Sequence, residues 1–305
     1  MTLLVVGSVA LDSVETPFGK AENVIGGSGT FFSASAMHLA PVQLVGVVGS
    51  DYPVDKLEPL RERGVDLSGL ERAEGNSFRW RGRYRHDLNS AETLETHLGV
   101  FSRFSPKIPE QFRRAPFVFL ANIDPRLQLD VLRQVERPRF VACDTMNFWI
   151  ESRRPELLDL LKHVDMVTVN EGEARQLTEK YNLVKAARWI MERGPKVVVI
   201  KKGENGAYLF REREIFFAPA YPLEEVFDPT GAGDAFAGGL MGYLARSGAH
   251  GPAELRRAVI YGSALGSFAV ERFSVGRLLE IGREDIASRV GAFRQLVAFE
   301  EELPA

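Results

Sequence analysis

The chain has 305 residues, 45% of them hydrophobic, which is typical of a globular protein with a sizeable core and excludes general disorder. Its formal charge of −3 gives no support for a general attraction to nucleic acid or to an anionic membrane. A single cysteine, Cys143, excludes an internal disulfide framework, and no stretch reaches the roughly 18 to 20 apolar residues of a membrane span. We therefore expect a cytoplasmic protein with neither a nucleic-acid nor a membrane partner.

Short apolar runs rich in β-branched residues recur along the chain and predict buried strands. These runs cover residues 3–7, 42–48, 117–121, 140–143, 166–169 and 197–200. Helical periodicity appears at residues 28–39, 55–63, 127–135, 171–178 and 184–192, and in one long helical region over 232–270. The alternation predicts a parallel sheet covered by helices.

Residues 74–104 interrupt this alternation. Within them, residues 78–85 alternate aromatic or small side chains with arginine, which predicts a strand with one polar face. Two interpretations stay open at this point: an exposed edge hairpin, or a small β subdomain that covers a site.

The most informative stretch is residues 227–239, where a glycine-rich turn leads into an apolar helical pattern. Glycines allow a ligand to approach the backbone closely, and the amides and dipole of a helix N-terminus favour an anion such as phosphate. Asp234, in the first turn, would repel that phosphate unless it had another task, such as accepting a proton from an attacking hydroxyl. The alternative is that Asp234 only complements the helix dipole and the glycines only allow a turn.

This stretch resembles the signature of the ribokinase-like (PfkB) carbohydrate kinase family. The resemblance implies that Gly231, Ala232 and Gly233 form the anion site with Asp228 and Thr230, and that Asp234 is the catalytic base. For Asp228 a role as a turn or cap residue stays open. A Walker P-loop and a dinucleotide fingerprint are both absent, which disfavours a dinucleotide oxidoreductase.

Further matches to the family imply which residues bind the substrate. Asp12 follows the first strand and resembles the family residue that binds substrate hydroxyls, and Gly26 and Gly27 resemble its diglycine hinge. Phe31 and Phe32 stand where family members such as ribokinase place a polar contact, so the pocket is expected to differ from theirs. Two more residues at a strand end, Asp144 and Asn147, are candidate substrate contacts.

Other matches to the family imply which residues bind the nucleotide and its metal ion. Asn170 and Glu173 resemble the family motif that places magnesium and phosphate, with Glu173 acting on Mg²⁺ directly or through water. The same spacing is also that of a helix capping box. Lys202, Gly203 and Gly206 resemble the loop near the ATP phosphates, although such a turn is also common without a ligand.

Taken together, the resemblance implies a ribokinase-like three-layer α/β/α fold with a mostly parallel central sheet and a small β lid. It implies one domain over residues 1–305, with lid segments near 13–25 and 74–104. The implied reaction moves the γ-phosphoryl group of ATP, with Mg²⁺, to a hydroxyl of a small sugar, cyclitol or nucleoside. A monovalent cation such as K⁺ and a homodimer formed through the lid are also implied. The alternatives are a kinase for a vitamin-type hydroxymethyl compound and a non-catalytic nucleotide or sugar sensor.

Overall fold

The computed structural model describes residues 1–298, in which thirteen strands form two sheets. The strands are β1 (Leu3–Val6), β2 (Ala10–Thr16), β3 (Gly19–Gly26), β4 (Val42–Gly49), β5 (Val65–Ala73), β6 (Phe78–Tyr84), β7 (Ala91–His97), β8 (Phe117–Leu120), β9 (Phe140–Asp144), β10 (Met166–Asn170), β11 (Val197–Lys201), β12 (Ala207–Arg211) and β13 (Glu214–Ala218). The helices are α1 (Ser28–Ala36), α2 (Glu58–Glu62), α3 (Pro125–Leu132), α4 (Asn147–Ser152), α5 (Arg154–Leu161), α6 (Glu171–Thr178), α7 (Leu183–Met191), α8 (Ala232–Ser247), α9 (Pro252–Ala269), α10 (Gly276–Glu280) and α11 (Arg283–Leu296). No helix among these residues combines the length and the hydropathy needed to cross a membrane.

The large sheet has nine strands in the order β13-β12-β11-β10-β9-β8-β1-β4-β5. The pairs from β5 to β11 are parallel, and β12 and β13 continue the sheet as an antiparallel edge. The central strands bear apolar side chains on both faces, as in β1, where Leu3 and Val5 face one core and Leu4 and Val6 face the other. All six predicted strands are present, and the parallel sheet is confirmed.

Helices cover both faces of the large sheet. Buried side chains of α1, α8 and α9 belong to one core, whereas those of α5, α6 and α7 belong to the other. The predicted long helical region over 232–270 is confirmed except for a break at residues 248–251, which divides it into two helices. Helix α8 ends before Gly248, which adopts a left-handed φ of 70°, and α9 begins at Pro252. A glycine in this conformation ends a helix, and proline suits the first helical position.

The small sheet has four strands in the order β3-β2-β6-β7 and joins the two chain segments that break the βα alternation. The predicted strand with one polar face is confirmed, because Arg79, Arg81 and Arg83 alternate along β6 with other residues. These arginines and the next one pair with acids of neighbouring segments: Arg79 with Asp51, Arg81 with Glu95, Arg83 with Glu15, and Arg85 with Glu92. The opposite face of β6 therefore points away from this row of ion pairs.

Candidate active site

The carboxyl ends of three adjacent parallel strands carry the polar residues of the site. Strands β9, β10 and β11 end at Asp144, Asn170 and Lys201 respectively. In the sheet register, Asp144 lies beside Thr168, and Asn170 lies beside Lys201. Ligands of open parallel sheets bind at this edge.

Helix α8 begins at the same edge. Gly231, which precedes the helix, adopts φ 72°, a left-handed conformation that favours glycine. The backbone N–H of Ala232 closes the turn by donating to the Pro229 carbonyl at 3.2 Å. Residues 231–234 are half-buried, so this helix N-terminus has the exposure and the polarity that an anion needs.

Asp234 lies in the first turn of α8. Burial and the nearby Asp144 carboxylate raise the pKa of Asp234 to about 7, although the Lys201 ammonium opposes this change. A general base is most effective when its pKa lies near the working pH. The environment of Asp234 is therefore suited to proton transfer near neutral pH.

Lys201 and Asp144 form an ion pair at this edge. Lys201 Nζ donates to Asp144 Oδ2 at 2.8 Å, and only 16% of the lysine side chain and 3% of the aspartate side chain are exposed. Burial lowers the pKa of Lys201, but the carboxylates of Asp144, Glu173 and Asp234 outweigh this effect and raise it. The edge therefore holds one ammonium group among three carboxyl groups.

Asn170 and Glu173 form the capping box of α6. Glu173 Oε2 accepts from the Asn170 backbone N–H at 2.7 Å, and Asn170 Oδ1 accepts from the Glu173 N–H at 2.8 Å. Burial of the Glu173 carboxyl group and the nearby Asp144 carboxylate raise the pKa of Glu173 to about 7. The capping interpretation is confirmed, and a role toward Mg²⁺ stays a prediction.

The residues present fit a hydrated Mg²⁺ ion. Within residues 1–298, no group of three or more His, Cys, Asp or Glu side chains forms a ready metal cage. Mg²⁺ does not require one, because it keeps several waters and binds through one or two carboxylates and the substrate phosphates. Glu173 and Asp234 share a site with more carboxyl groups than ammonium groups, which is a donor set that a hard cation prefers.

Asp12 lies on β2, with 5% of its surface exposed. Its Oδ2 accepts from the Gly27 N–H at 3.3 Å, and a β-carbon added at Gly26 would lie 1.9 Å from the same oxygen. Burial is the main cause that raises the pKa of Asp12 to about 7. The Gly27 amide opposes it, whereas Asp228 and Asp234 add to it. The structure thus brings the predicted substrate residue close to the predicted base.

Asp228 fixes the loop before α8. One of its carboxylate oxygens accepts from the Thr230 N–H at 2.9 Å, and the other accepts from the Ser274 N–H at 3.2 Å. Thr230 in turn donates from its hydroxyl to the Tyr84 hydroxyl of β6 at 3.4 Å. The turn-forming interpretation of Asp228 is confirmed, and direct phosphate contacts by Asp228 and Thr230 stay predictions.

The two phenylalanines of α1 have different surroundings. Phe32 stacks on Phe119 in the core with ring centroids 4.5 Å apart. Phe31 packs against the loop of α8, since a β-carbon added at Gly231 would lie 2.2 Å from its ring. Phe31 therefore forms part of the wall beside the helix N-terminus.

The face of β6 opposite the arginines carries the aromatic residues Trp80 and Tyr84, of which Tyr84 reaches the loop before α8. Tyr84 reaches Thr230, and burial is the main cause that raises the pKa of its phenol to about 12. Trp80 lies beside Asp12 in the register of β2 and β6, and its indole N–H donates to Thr93 Oγ1 at 3.2 Å. Trp80 and Asp12 are thus register partners on adjacent strands, and the indole extends over Gly82 toward β7.

The predicted nucleotide loop follows β11. Lys202 extends toward Glu171, with Nζ 3.8 Å from Oε2. Gly203 has φ 53° and lies against Asn89 of the β6–β7 turn, whose side-chain amide donates to Glu204 at 3.3 Å. Gly206, with φ 81°, is needed for packing, because a β-carbon there would lie 2.1 Å from the Ala218 carbonyl oxygen. Contact of these residues with ATP stays a prediction.

The predicted substrate contacts Asp144 and Asn147 lie in different environments. Asp144 is buried, with Oδ2 bonded to Lys201 and Oδ1 accepting from the Thr145 N–H at 2.8 Å. Asn147 is exposed at the first residue of α4. The position of neither residue shows whether it contacts a substrate, so both contacts remain predictions.

Sequence reasoning did not assign Lys201, Trp80 or Tyr84 to the site. The ion pair that places Lys201 in the site is formed with Asp144, which lies 57 residues earlier in the chain. A signal was available for the two aromatic residues, because they occupy the non-arginine positions of the alternating strand.

Comparisons with known proteins cover nearly the whole chain. The model of the pfkB family carbohydrate kinase matches residues 3–281. A cytidine kinase of Thermococcus kodakarensis is 32% identical over 250 residues, which cover 80% of this chain and 88% of that protein.

Solved structures agree in fold. Aminoimidazole riboside kinase from Salmonella enterica, complexed with aminoimidazole riboside and an ATP analog, matches with a TM-score of 0.75 and 21% identity over 95% of this chain and all of that chain. A protein from E. coli in complex with ATP and Mg²⁺ matches with a TM-score of 0.79 and 19% identity over 95% of this chain and 99% of that one. The predicted ribokinase-like three-layer fold is confirmed.

Proposed function

This chain belongs to the pfkB family of carbohydrate kinases, and we propose that within this family it phosphorylates a ribose hydroxyl of a nucleoside. The class of enzyme follows from the family: a phosphotransferase that acts on an alcohol group of a small sugar or nucleoside. Kinases of this family use ATP with Mg²⁺.

The nucleoside proposal is carried by Trp80, the register partner of Asp12 on the adjacent strand of the small sheet. A nucleoside combines a sugar with a flat aromatic base, and these two side chains suit its two parts. The Asp12 carboxylate is an acceptor for sugar hydroxyls, and the indole of Trp80 offers a surface for stacking a base. The 32% identity to a cytidine kinase over 80% of the chain supports the same substrate class.

In the proposed reaction, the acceptor oxygen attacks the γ-phosphorus of ATP while the bond to the leaving ADP oxygen breaks. The proton of the attacking hydroxyl passes to Asp234, whose pKa of about 7 suits a base at neutral pH. The amides of Gly231 and Gly233 stabilise the charge on the transferring group, whereas the Ala232 amide closes the turn onto the Pro229 carbonyl. A Mg²⁺ ion held by Glu173, directly or through water, would neutralise phosphate charge.

The small sheet is proposed to act as a lid. Its strands lie within or next to segments 13–25 and 74–104, and it contacts the loop before α8 through Thr16, whose hydroxyl donates to the Phe227 carbonyl at 2.9 Å. Closure would keep water from the base and limit ATP hydrolysis. Activation by K⁺ and a homodimer formed through this sheet stay predictions, which a K⁺ titration and sedimentation equilibrium would test.

The acceptor and the base can be tested in one experiment. Product formation from ATP and Mg²⁺ is measured over ribonucleosides, free pentoses and hexoses, inositols and vitamin-type alcohols, with Asp234→Asn beside the parent. We expect a nucleoside to be preferred and kcat to fall roughly 10²- to 10⁴-fold in the variant. Asp159→Asn, an exposed position on α5, is the matched control and should keep full activity.

Trp80→Leu separates a nucleoside from a simple sugar. We expect this variant to raise the KM for the nucleoside several-fold and to leave the KM for ATP unchanged. A parent that prefers a free sugar would refute the nucleoside proposal, and turnover by Asp234→Asn at the parental rate would refute the base. Binding of ATP and nucleoside without turnover of any acceptor would favour the sensor.

A further inference from the structure

Lys201 is an unusually enclosed lysine. Its side chain is 16% exposed, and its ammonium lies 2.8 Å from a carboxylate oxygen of Asp144 that is itself buried. Lysine is seldom buried unless it is paired. A buried ion pair is nevertheless weak evidence for stability, because the cost of removing two charges from water offsets their attraction. A function at the site therefore explains the burial of this pair better than a contribution to stability does.

The ammonium lies against the first turn of α8. A β-carbon added at Gly233 would be 3.0 Å from Lys201 Nζ, so the absence of a side chain at this position makes room for the lysine. The N-terminus of a helix carries a partial positive charge of roughly half a unit. The Asp144 and Asp234 carboxylates offset part of the charge of a cation placed beside it. The ammonium and the helix N-terminus still converge on one point, which suits a dense negative charge.

The Lys201 ammonium also has N–H donors that its ion pair with Asp144 does not use. Within residues 1–298, this ammonium donates one hydrogen bond, to Asp144, although an ammonium group has three N–H donors. Of the two other carboxyl groups near it, Glu173 is directed to the backbone of Asn170 in its own capping box, and Asp234 is the proposed base. By contrast, Lys202, the lysine that the sequence indicated, extends toward Glu171.

We propose that Lys201 is a further catalytic residue, whose ammonium contacts the terminal phosphoryl group of the bound nucleoside triphosphate while Asp144 holds it beside the first turn of α8. The inference rests on the proposed function, because it requires ATP to place its γ-phosphate at this helix N-terminus. It does not depend on which alcohol accepts the phosphoryl group.

Binding of ATP and of ADP to Lys201→Met is measured by titration calorimetry with no acceptor present. We expect the affinity for ATP to fall by about 10-fold or more, because a charge-assisted contact is lost. ADP lacks the γ-phosphate, so its affinity should change much less. Lys196→Met, at the opposite end of β11 and exposed, is the matched control and should bind both nucleotides as the parent does.

Two more variants separate a phosphate contact from a structural pair. Lys201→Arg keeps the charge and should retain most of the ATP affinity. Asp144→Asn removes the partner that holds the ammonium but keeps the ammonium itself, so its affinity for ATP should lie between those of the parent and Lys201→Met, even if its melting temperature falls.

The outcomes are distinct. Equal losses of ATP and ADP affinity in Lys201→Met, or unchanged ATP affinity in a folded variant, would overturn the role of Lys201 and leave the kinase standing. If Lys201→Met does not fold, weak ATP binding by folded Lys201→Arg would overturn the proposal, and near-parental binding would support it. A parent that binds no ATP would refute the proposed function together with this inference.

Discussion

Gly231→Ala should destabilise the protein for two reasons that the structure separates. The left-handed backbone at φ 72° costs a residue with a β-carbon roughly 1–2 kcal/mol. The new methyl group would lie 2.2 Å from the ring of Phe31, and overpacking of this kind costs roughly 1–3 kcal/mol. We therefore expect the free energy of unfolding to fall by about 2–5 kcal/mol.

The assay is urea unfolding followed by tryptophan fluorescence, and the chain offers matched controls. Gly64 also has a positive φ, 94°, but a β-carbon there would meet no atom within 4 Å, so Gly64→Ala should show the backbone cost alone. Gly291 is an exposed residue of α11 that has neither a left-handed backbone nor an atom within 4 Å of an added β-carbon. Gly291→Ala should therefore raise the free energy of unfolding by about 0.5–1 kcal/mol.

The steric part can be isolated with a double-mutant cycle. Phe31→Leu shortens the side chain that the new methyl group meets, so the double variant with Gly231→Ala should be less destabilised than the sum of the two single variants. A result in which Gly231→Ala costs no more than Gly64→Ala, or in which the cycle is additive within about 0.5 kcal/mol, would refute the reasoning.

Two other predictions concern pH and the indole. The pKa values of Asp12, Glu173 and Asp234 are raised to about 7 in the folded protein from about 4 in the unfolded chain, so their contribution to stability is complete below pH 4 and is lost as the pH rises through 7. Urea titrations at pH 5 and pH 8 should show a smaller change with pH for Asp12→Asn than for the parent, and an identical change would contradict the assignment. At Gly82, an added β-carbon would lie 2.1 Å from the ring of Trp80, so Gly82→Ala should raise the KM for the nucleoside with little change in the KM for ATP. Steady-state kinetics on both substrates checks this, and an unchanged nucleoside KM would speak against a contact between indole and base.

The large sheet could be predicted from sequence because its central strands are buried on both faces and therefore appear as uninterrupted apolar runs. Strand β5 was missed for the opposite reason. Its residues 65–73 mix polar with apolar side chains at the edge of the sheet, and only Val65 among them is fully buried, so no apolar run marks them. The break between α8 and α9 was missed although Gly248 and Pro252 are both visible in the sequence, because the helical pattern continues on either side of them.

The candidate site could be predicted where a local motif carries it. Residues 228–234 are contiguous, and their glycines and carboxylates indicated both a turn and a helix N-terminus. Lys201 could not be found in this way, because its environment is created by Asp144 and Gly233, which are distant in sequence. The sequence also left open whether Glu173 caps a helix or binds a metal, since one carboxylate at this spacing suits either task.

The close approach of Gly26 to Asp12 has a consequence for how such a protein can change over generations. A side chain at position 26 would collide with the carboxylate before it met anything else, because its first carbon would lie 1.9 Å from Asp12 Oδ2. Mutations at the two positions are therefore epistatic. A side chain at position 26 displaces the carboxylate from its bond to the Gly27 amide, so the glycine and Asp12 in its present place constrain each other.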